Sequence, residues 1–150
     1  MPDPVTTERA PTGVPGLDEV LEGGFPRRRV SLVQGDPGTG KTTLGLAFLL
    51  AGRRLGERCL YVTLSETRDE LAEVAASHGW SLDGIDVYAV PEGSPASEDE
   101  ENTLFLTSEV ELEETWRQLL ERLKAARPDR VVFDSLTEVR LLAQSPLRFR

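Results

Sequence analysis

Along this chain, runs of consecutive apolar residues alternate with stretches in which apolar residues recur every three or four positions. Leu17, Val20 and Leu21 have helical spacing and are followed by Gly23, Gly24 and Pro26, which predicts one short helix within 16–24 and then a stop. Val30 to Gln34 is a β-prone run entering a glycine-rich loop. After it Leu44, Ala47, Phe48, Ala51 and Leu55 recur at helical intervals, so the order predicted is strand, loop, helix. Cys59 to Leu64 predicts a second strand, and Thr67 with Glu70 forms a capping box that opens a helix through Ala76. Ile85 to Val90 predicts a third strand, and the Pro-, Ser- and Glu-rich stretch 91–103 a long surface loop. Ser108 and Glu111 form another capping box, predicting a helix from about Glu109 to Arg127 with Val110, Trp116, Leu119, Leu120 and Leu123 facing inward, ended by Pro128. Arg130 to Phe133 predicts a fourth strand leading into Asp134, and a last helix begins over Glu138 to Ala143.

Strands alternating with helices imply an α/β fold, a parallel sheet covered by helices on both faces in three layers. With 150 residues, 39% of them hydrophobic, the chain can bury one core. Residues 1–11, with three prolines, read as a flexible leader to a domain spanning 12–150. That domain is expected to be an incomplete N-terminal part, because the strands that should follow the last predicted helix do not appear after it. No stretch is apolar enough for a signal peptide or a membrane span, so a soluble cytoplasmic protein is expected. Cys59 is the sole cysteine, which excludes an intrachain disulfide or a cysteine-based zinc site; its apolar neighbours predict a buried thiol.

The net charge of -9 has a location. Nine acidic residues and no basic ones lie between 92 and 116, and the rest of the chain is balanced. This reads as one solvated surface segment, and the balanced remainder argues against a basic face for DNA.

Candidate chemistry centres on GDPGTGKT, residues Gly35, Asp36, Pro37, Gly38, Thr39, Gly40, Lys41 and Thr42, followed by Thr43. It fits the phosphate-loop pattern at every constrained position and lies between a predicted strand and a predicted helix, as that pattern requires. Gly35, Gly38 and Gly40 let successive N–H groups face a phosphate, with the positive end of the following helix behind them. Lys41 offers a point charge to the terminal phosphate oxygens and Thr42 a hydroxyl to Mg²⁺. Only Lys41 and Lys124 are lysines among 17 basic residues, so a lysine at this position is not a drift of composition. Asp134, at the end of the apolar run VVF, would sit at the same sheet edge and orient water around the Mg²⁺. Arg27, Arg28 and Arg29 read as a surface basic cluster, His78 as a helix-end residue, and Trp80 and Trp116 as packing residues.

The segments TGVPGLDEVLEGGFP (12–26), GDPGTGKTTL, YVTLSETRDEL and RVVFDSLTEVRLLA together resemble the KaiC-like branch of the RecA superfamily of P-loop ATPases, over nearly the whole chain. The resemblance implies ATP as the nucleotide and a RecA-like core, which this chain is expected to hold only as far as shortly after the Asp134 strand. It further implies a homo-oligomeric, often hexameric, ring with ATP held between neighbouring subunits. Its hydrolytic carboxylates lie after the second strand, in KaiC as two adjacent glutamates. Here that stretch is Leu64-Ser65-Glu66-Thr67, so Ser65 replaces the first and Glu66 is the water-polarising candidate, alongside Lys41 as the second catalytic residue. The function expected is an ATPase that couples its nucleotide cycle to oligomer conformation and signalling, with Ser/Thr protein kinase activity also within the resemblance. Two alternatives stand beside it: a RecA- or RadA-type DNA-dependent ATPase, and a nucleotide-gated assembly module with little hydrolysis, suggested by Ser65.

Overall fold

A computed structural model describes residues 8–90 and 116–136. A two-stranded antiparallel ribbon, β1 (Arg9–Ala10) with β2 (Phe25–Pro26), brackets the short helix α1 (Pro15–Val20). Then follow α2 (Lys41–Arg54), β3 (Cys59–Thr63), α3 (Arg68–Ser77), β4 (Ile85–Ala89), the helix α4 described over 116–126, and β5 (Arg130–Asp134). The main sheet has the order β4-β3-β5, all parallel, with Cys59 opposite both Ile85 and Arg130 and Thr63 opposite both Ala89 and Asp134.

Central strand β3 is buried at all five positions, as a parallel strand covered on both faces should be. Its side chains alternate between two cores. Cys59 and Tyr61 pack with Leu46, Leu49 and Leu50 of α2, Leu71 and Ala75 of α3, and Ile85. Leu60 and Val62 face the other way, against Leu119, Trp116 and Leu123 of α4 with Phe133 and Tyr88. Helices therefore lie on both faces, in the three-layer arrangement expected. The capping box at α3 is formed: Thr67 N donates to Glu70 Oε2 at 2.7 Å and Glu70 N to Thr67 Oγ1 at 3.3 Å.

Several expectations need correction. Val30 to Gln34 is not a strand: it pairs with no strand among the described residues, and Val30 is 99% and Leu32 73% exposed. A parallel strand exists only against a neighbour's backbone, and the outer edge of β5 receives no strand among the described residues. Leu120 faces outward, because Leu119 points into the core and the next residue lies about 100° further round the helix. Within the segment read as a leader, Arg9 and Ala10 form β1. Val110, the 91–103 loop and the Glu138 to Ala143 helix lie outside the described residues.

Arg27 is also no loose surface residue. It donates to Glu57, which accepts from Arg130 as well. Arg130 is 2% exposed; its Nη1 reaches Pro11 O at 2.6 Å and Phe48 O at 2.9 Å, and its guanidinium stacks 4.6 Å over the Phe48 ring. Burial works against the Glu57 carboxylate, but the hydrogen bonds from Arg27 and Arg130 outweigh it, and the Glu57 pKa is lowered.

At the N-terminal signature, the buried Thr12 donates through N and Oγ1 to Asp18 Oδ1, both at 2.7 Å. Helix α2 meets β5 along two glycines seven residues apart, which share a helix face. A Cβ on Gly45 would lie 3.0 Å from Val132 Cγ1, and one on Gly52 would lie 2.5 Å from Arg130 Cδ. The helix that starts at the phosphate loop thus rests directly on the strand that ends in Asp134.

Candidate functional site

The site is assembled where the loop before α2 meets the C-terminal ends of β3 and β5. Residues 35–40 all lie on the surface. Asp36 O accepts from Thr39 Oγ1 at 2.8 Å, which closes the loop on itself. Gly40 stands at the helix N-cap with φ 89° and ψ 21°, a left-handed conformation that a residue with a Cβ adopts only under strain. No side chain among the described residues caps this end of α2. The first N–H groups of a fourteen-residue helix therefore face outward with the dipole behind them, which is an anion-binding arrangement. Gly35 serves differently from the expectation: its φ is not positive, and its constraint is Thr39 Oγ1, 2.7 Å from where a Cβ would stand.

Lys41 folds over the loop, its Nζ donating to Gly35 O and Asp36 O, both at 2.8 Å. An ammonium held there by two carbonyls is aimed across the mouth of the loop. Thr42 Oγ1 donates to Asp134 Oδ2 at 2.9 Å, so the hydroxyl of the loop and the carboxylate of β5 meet although 92 residues separate them. Thr43 is half-buried in the first turn of α2.

Glu66 reaches the same edge through a turn after β3. Thr63 Oγ1 accepts from Glu66 N at 2.9 Å and lies 3.1 Å from Glu66 O, which pins the backbone of the turn. Ser65 is left exposed, whereas Glu66 Oε2 is buried and without a hydrogen-bond partner among the described residues. Burial, followed by the negative charges of Asp134 and Glu70, raises the Glu66 pKa. A carboxyl group in that state is receptive to a proton, the property a general base needs.

A further group was not singled out from the sequence. Tyr61 OH donates to Asp134 Oδ2 at 2.7 Å. Its position in an apolar strand run signals core packing, and its ring does pack in the core; only the register that sets β3 beside β5 shows where the hydroxyl goes.

His78 and Trp80 lie elsewhere, stacked on each other with centroids 4.8 Å apart. Trp80 lines a cavity of about 430 Å³ with Arg53 and Arg54, at the end of α2 opposite the phosphate loop. Trp116 stacks on Phe133, centroids 5.8 Å apart. Cys59 is buried, with Sγ 3.2 Å from Leu49 O.

The donor set suits Mg²⁺. Among the described residues no three His, Cys, Asp or Glu side chains converge as an all-protein metal cage would require. A hydroxyl and a carboxylate in contact beside an open phosphate loop match the way Mg²⁺ is held, by one or two protein oxygens together with phosphates and water.

Comparison with known proteins gives the family and the fold. The protein-family model described as "ATPase: KaiC" matches residues 10–150. A UPF0273 protein of Pyrococcus horikoshii is 37% identical over 140 residues, covering 87% of this chain and 56% of its own length. A circadian clock oscillator protein KaiC, from Parasynechococcus marenigrum, is 30% identical, covering 89% of this chain and 26% of its own length. Among solved structures, a KaiC-like protein from Pyrococcus horikoshii superposes with a TM-score of 0.70 at 29% identity, covering 90% of this chain and 56% of that one. The chain spans about half the length of the UPF0273 relatives it matches.

Proposed function

We propose, starting from the fact that this chain belongs to the KaiC ATPase family, that it binds ATP with Mg²⁺ at Gly35–Thr43 and hydrolyses it with Glu66 as the water-polarising carboxylate. One observation carries the hydrolytic part: Glu66 Oε2 is buried, without a hydrogen-bond partner among the described residues, at the edge where Thr42 and Asp134 meet, while Ser65 turns to solvent. Loop N–H groups and the start of α2 would receive the phosphates, and Lys41 would move its ammonium from the loop carbonyls to the terminal phosphate oxygens. Thr42 and Asp134 would hold the Mg²⁺, whose charge offsets that of the phosphates. Glu66 would accept a hydrogen bond from the attacking water, and its raised pKa suits it to take up the proton.

On the same reading the protein is a homo-oligomer that places ATP between subunits and couples the nucleotide cycle to conformation and signalling, as the family resemblance suggests. Ser/Thr kinase activity and a cytoplasmic location belong to this proposal too. No described helix is long and apolar enough to cross a membrane. Ser65 supports a second reading, a nucleotide-gated assembly module with slow turnover, because a serine hydroxyl is a far poorer base than a carboxylate.

Measuring ATP binding and turnover of the full-length protein, with and without DNA, tests both. Lys41→Ala should abolish tight binding, and Glu66→Gln should retain binding while lowering turnover roughly a hundredfold. Unchanged turnover in Glu66→Gln removes the assignment. A strong rise in Ser65→Glu favours the slow-turnover reading, and stimulation by DNA would bring back the recombinase alternative.

A further inference from the structure

Asp134 does not meet Thr42 alone. Tyr61 OH and Thr42 Oγ1 both donate to Oδ2, at 2.7 and 2.9 Å, and neither uses Oδ1. Tyr61 is fully buried, its ring packed with the α2 side of the core and its Cε2 3.6 Å from where a Cβ on Gly45 would stand. A ring held between a central strand and a close-packed helix leaves its hydroxyl little freedom of direction. Packing by itself would be served by phenylalanine. The extra oxygen must be taken out of water, so its presence calls for a partner, and a carboxylate is a strong one. Burial, then Asp134 itself, pushes the phenol pKa upward, so the group stays a donor.

We propose that Tyr61 is a positioning residue for the divalent cation of the ATP site: by occupying Asp134 Oδ2 together with Thr42 it fixes the carboxylate plane and leaves Oδ1 to recognise the cation's water shell. This inference rests on the ATP-site reading above. With the phenol removed only Thr42 holds Oδ2, the carboxylate gains freedom to turn about its own bond, and that freedom is lost each time the cation binds.

The test uses the full-length protein, titrated with MgCl₂ at fixed ATP, with nucleotide binding and turnover both followed. Tyr61→Phe should bind ATP in EDTA as the parent does. Its half-saturating Mg²⁺ should rise roughly tenfold, the weight of one hydrogen bond to a charged group. In an Asp134→Asn background, read by nucleotide binding, Tyr61→Phe should add no further shift. A folded Tyr61→Phe protein with the parent's Mg²⁺ requirement overturns the proposal, as does a shift that persists undiminished beside Asp134→Asn. Should Tyr61→Phe fail to fold, 3-fluorotyrosine at position 61 keeps the ring and strengthens the donor. It should lower the Mg²⁺ requirement, and no change there overturns the proposal too. A parent protein whose ATP binding ignores both Mg²⁺ and Lys41→Ala would instead bring down the site reading, and this proposal with it.

Discussion

Thr63 and Asp134 are direct neighbours across the β3–β5 ladder, and the hydroxyl of Thr63 pins the turn that carries Glu66. The two carboxylates are thereby brought to one sheet edge by backbone register. Their mutual repulsion, added to burial, raises the Glu66 pKa above the ordinary 4.5. Between that ordinary value and the raised one, the native state holds a proton that the unfolded chain has released. Stability contributed by the protonated group is therefore lost as pH rises through this window, and below it both states are protonated. Glu66→Gln, which never ionises, is expected to melt at a higher temperature than the parent at neutral pH, with the gap closing toward the ordinary glutamate range. Thermal melts across a pH series check this; a gap that widens in acid would contradict it.

Glu57 receives two arginines of unequal burial, with side chains 1% exposed for Arg130 and 28% for Arg27. Glu57→Ala leaves the Arg130 charge in the interior with two carbonyls and the Phe48 ring but no carboxylate, and is expected to cost about 3–5 kcal/mol. Arg27→Ala removes the more accessible partner and should cost about 1 kcal/mol or less. Urea unfolding of the two variants gives the comparison, and equal losses would mean that Arg130 does not depend on Glu57.

The two glycines of α2 that face β5 should respond differently to alanine. Alanine gains up to about 1 kcal/mol of helix propensity over glycine. At Gly45 the new methyl would stand 3.0 Å from a valine methyl, and the two effects should nearly cancel. At Gly52 it would stand 2.5 Å from Arg130 Cδ, displacing a buried ion-paired side chain, so a net loss of about 1–3 kcal/mol is expected. A neutral Gly52→Ala would show that Arg130 has somewhere else to go.

The outer edge of β5 and the run at Val30 to Val33 leave apolar side chains in solvent: Val30 is 99%, Leu32 73% and Val131 41% exposed. A parallel edge that is unpaired among the described residues, beside such side chains, recruits other chains. A polypeptide of residues 1–150 alone is expected to self-associate, seen as concentration-dependent sedimentation. A cooperative melt from a monomer at all concentrations would count against this.

What could be read from the sequence was whatever depends on neighbours along the chain. Thr67 and Glu70 cap α3 because both halves of the box lie within one turn. Arg130 to Asp134 is a strand, and the GDPGTGKT loop opens a helix, because apolar runs and glycines act locally. The failures depend on distant partners. Val30 to Gln34 has strand composition but no neighbour among the described residues to pair with. Arg27 looked like part of a surface cluster because Glu57 is thirty residues away. Tyr61 looked like core because its ring is core; only its hydroxyl belongs to the site.

The pair of glycines on α2 also bears on what kind of object the phosphate loop is. Eight residues are enough to recognise it, yet they do not suffice to build it. The mouth of the loop is aimed by a helix whose Gly45 and Gly52, four and eleven residues beyond Lys41, are seated on Val132 and Arg130. Transplanted onto a helix with bulkier side chains at those two places, the same octapeptide would ride higher on its sheet and lose Asp134 as a neighbour. The motif is a label, and the portable unit is the loop, the helix and the strand beneath it.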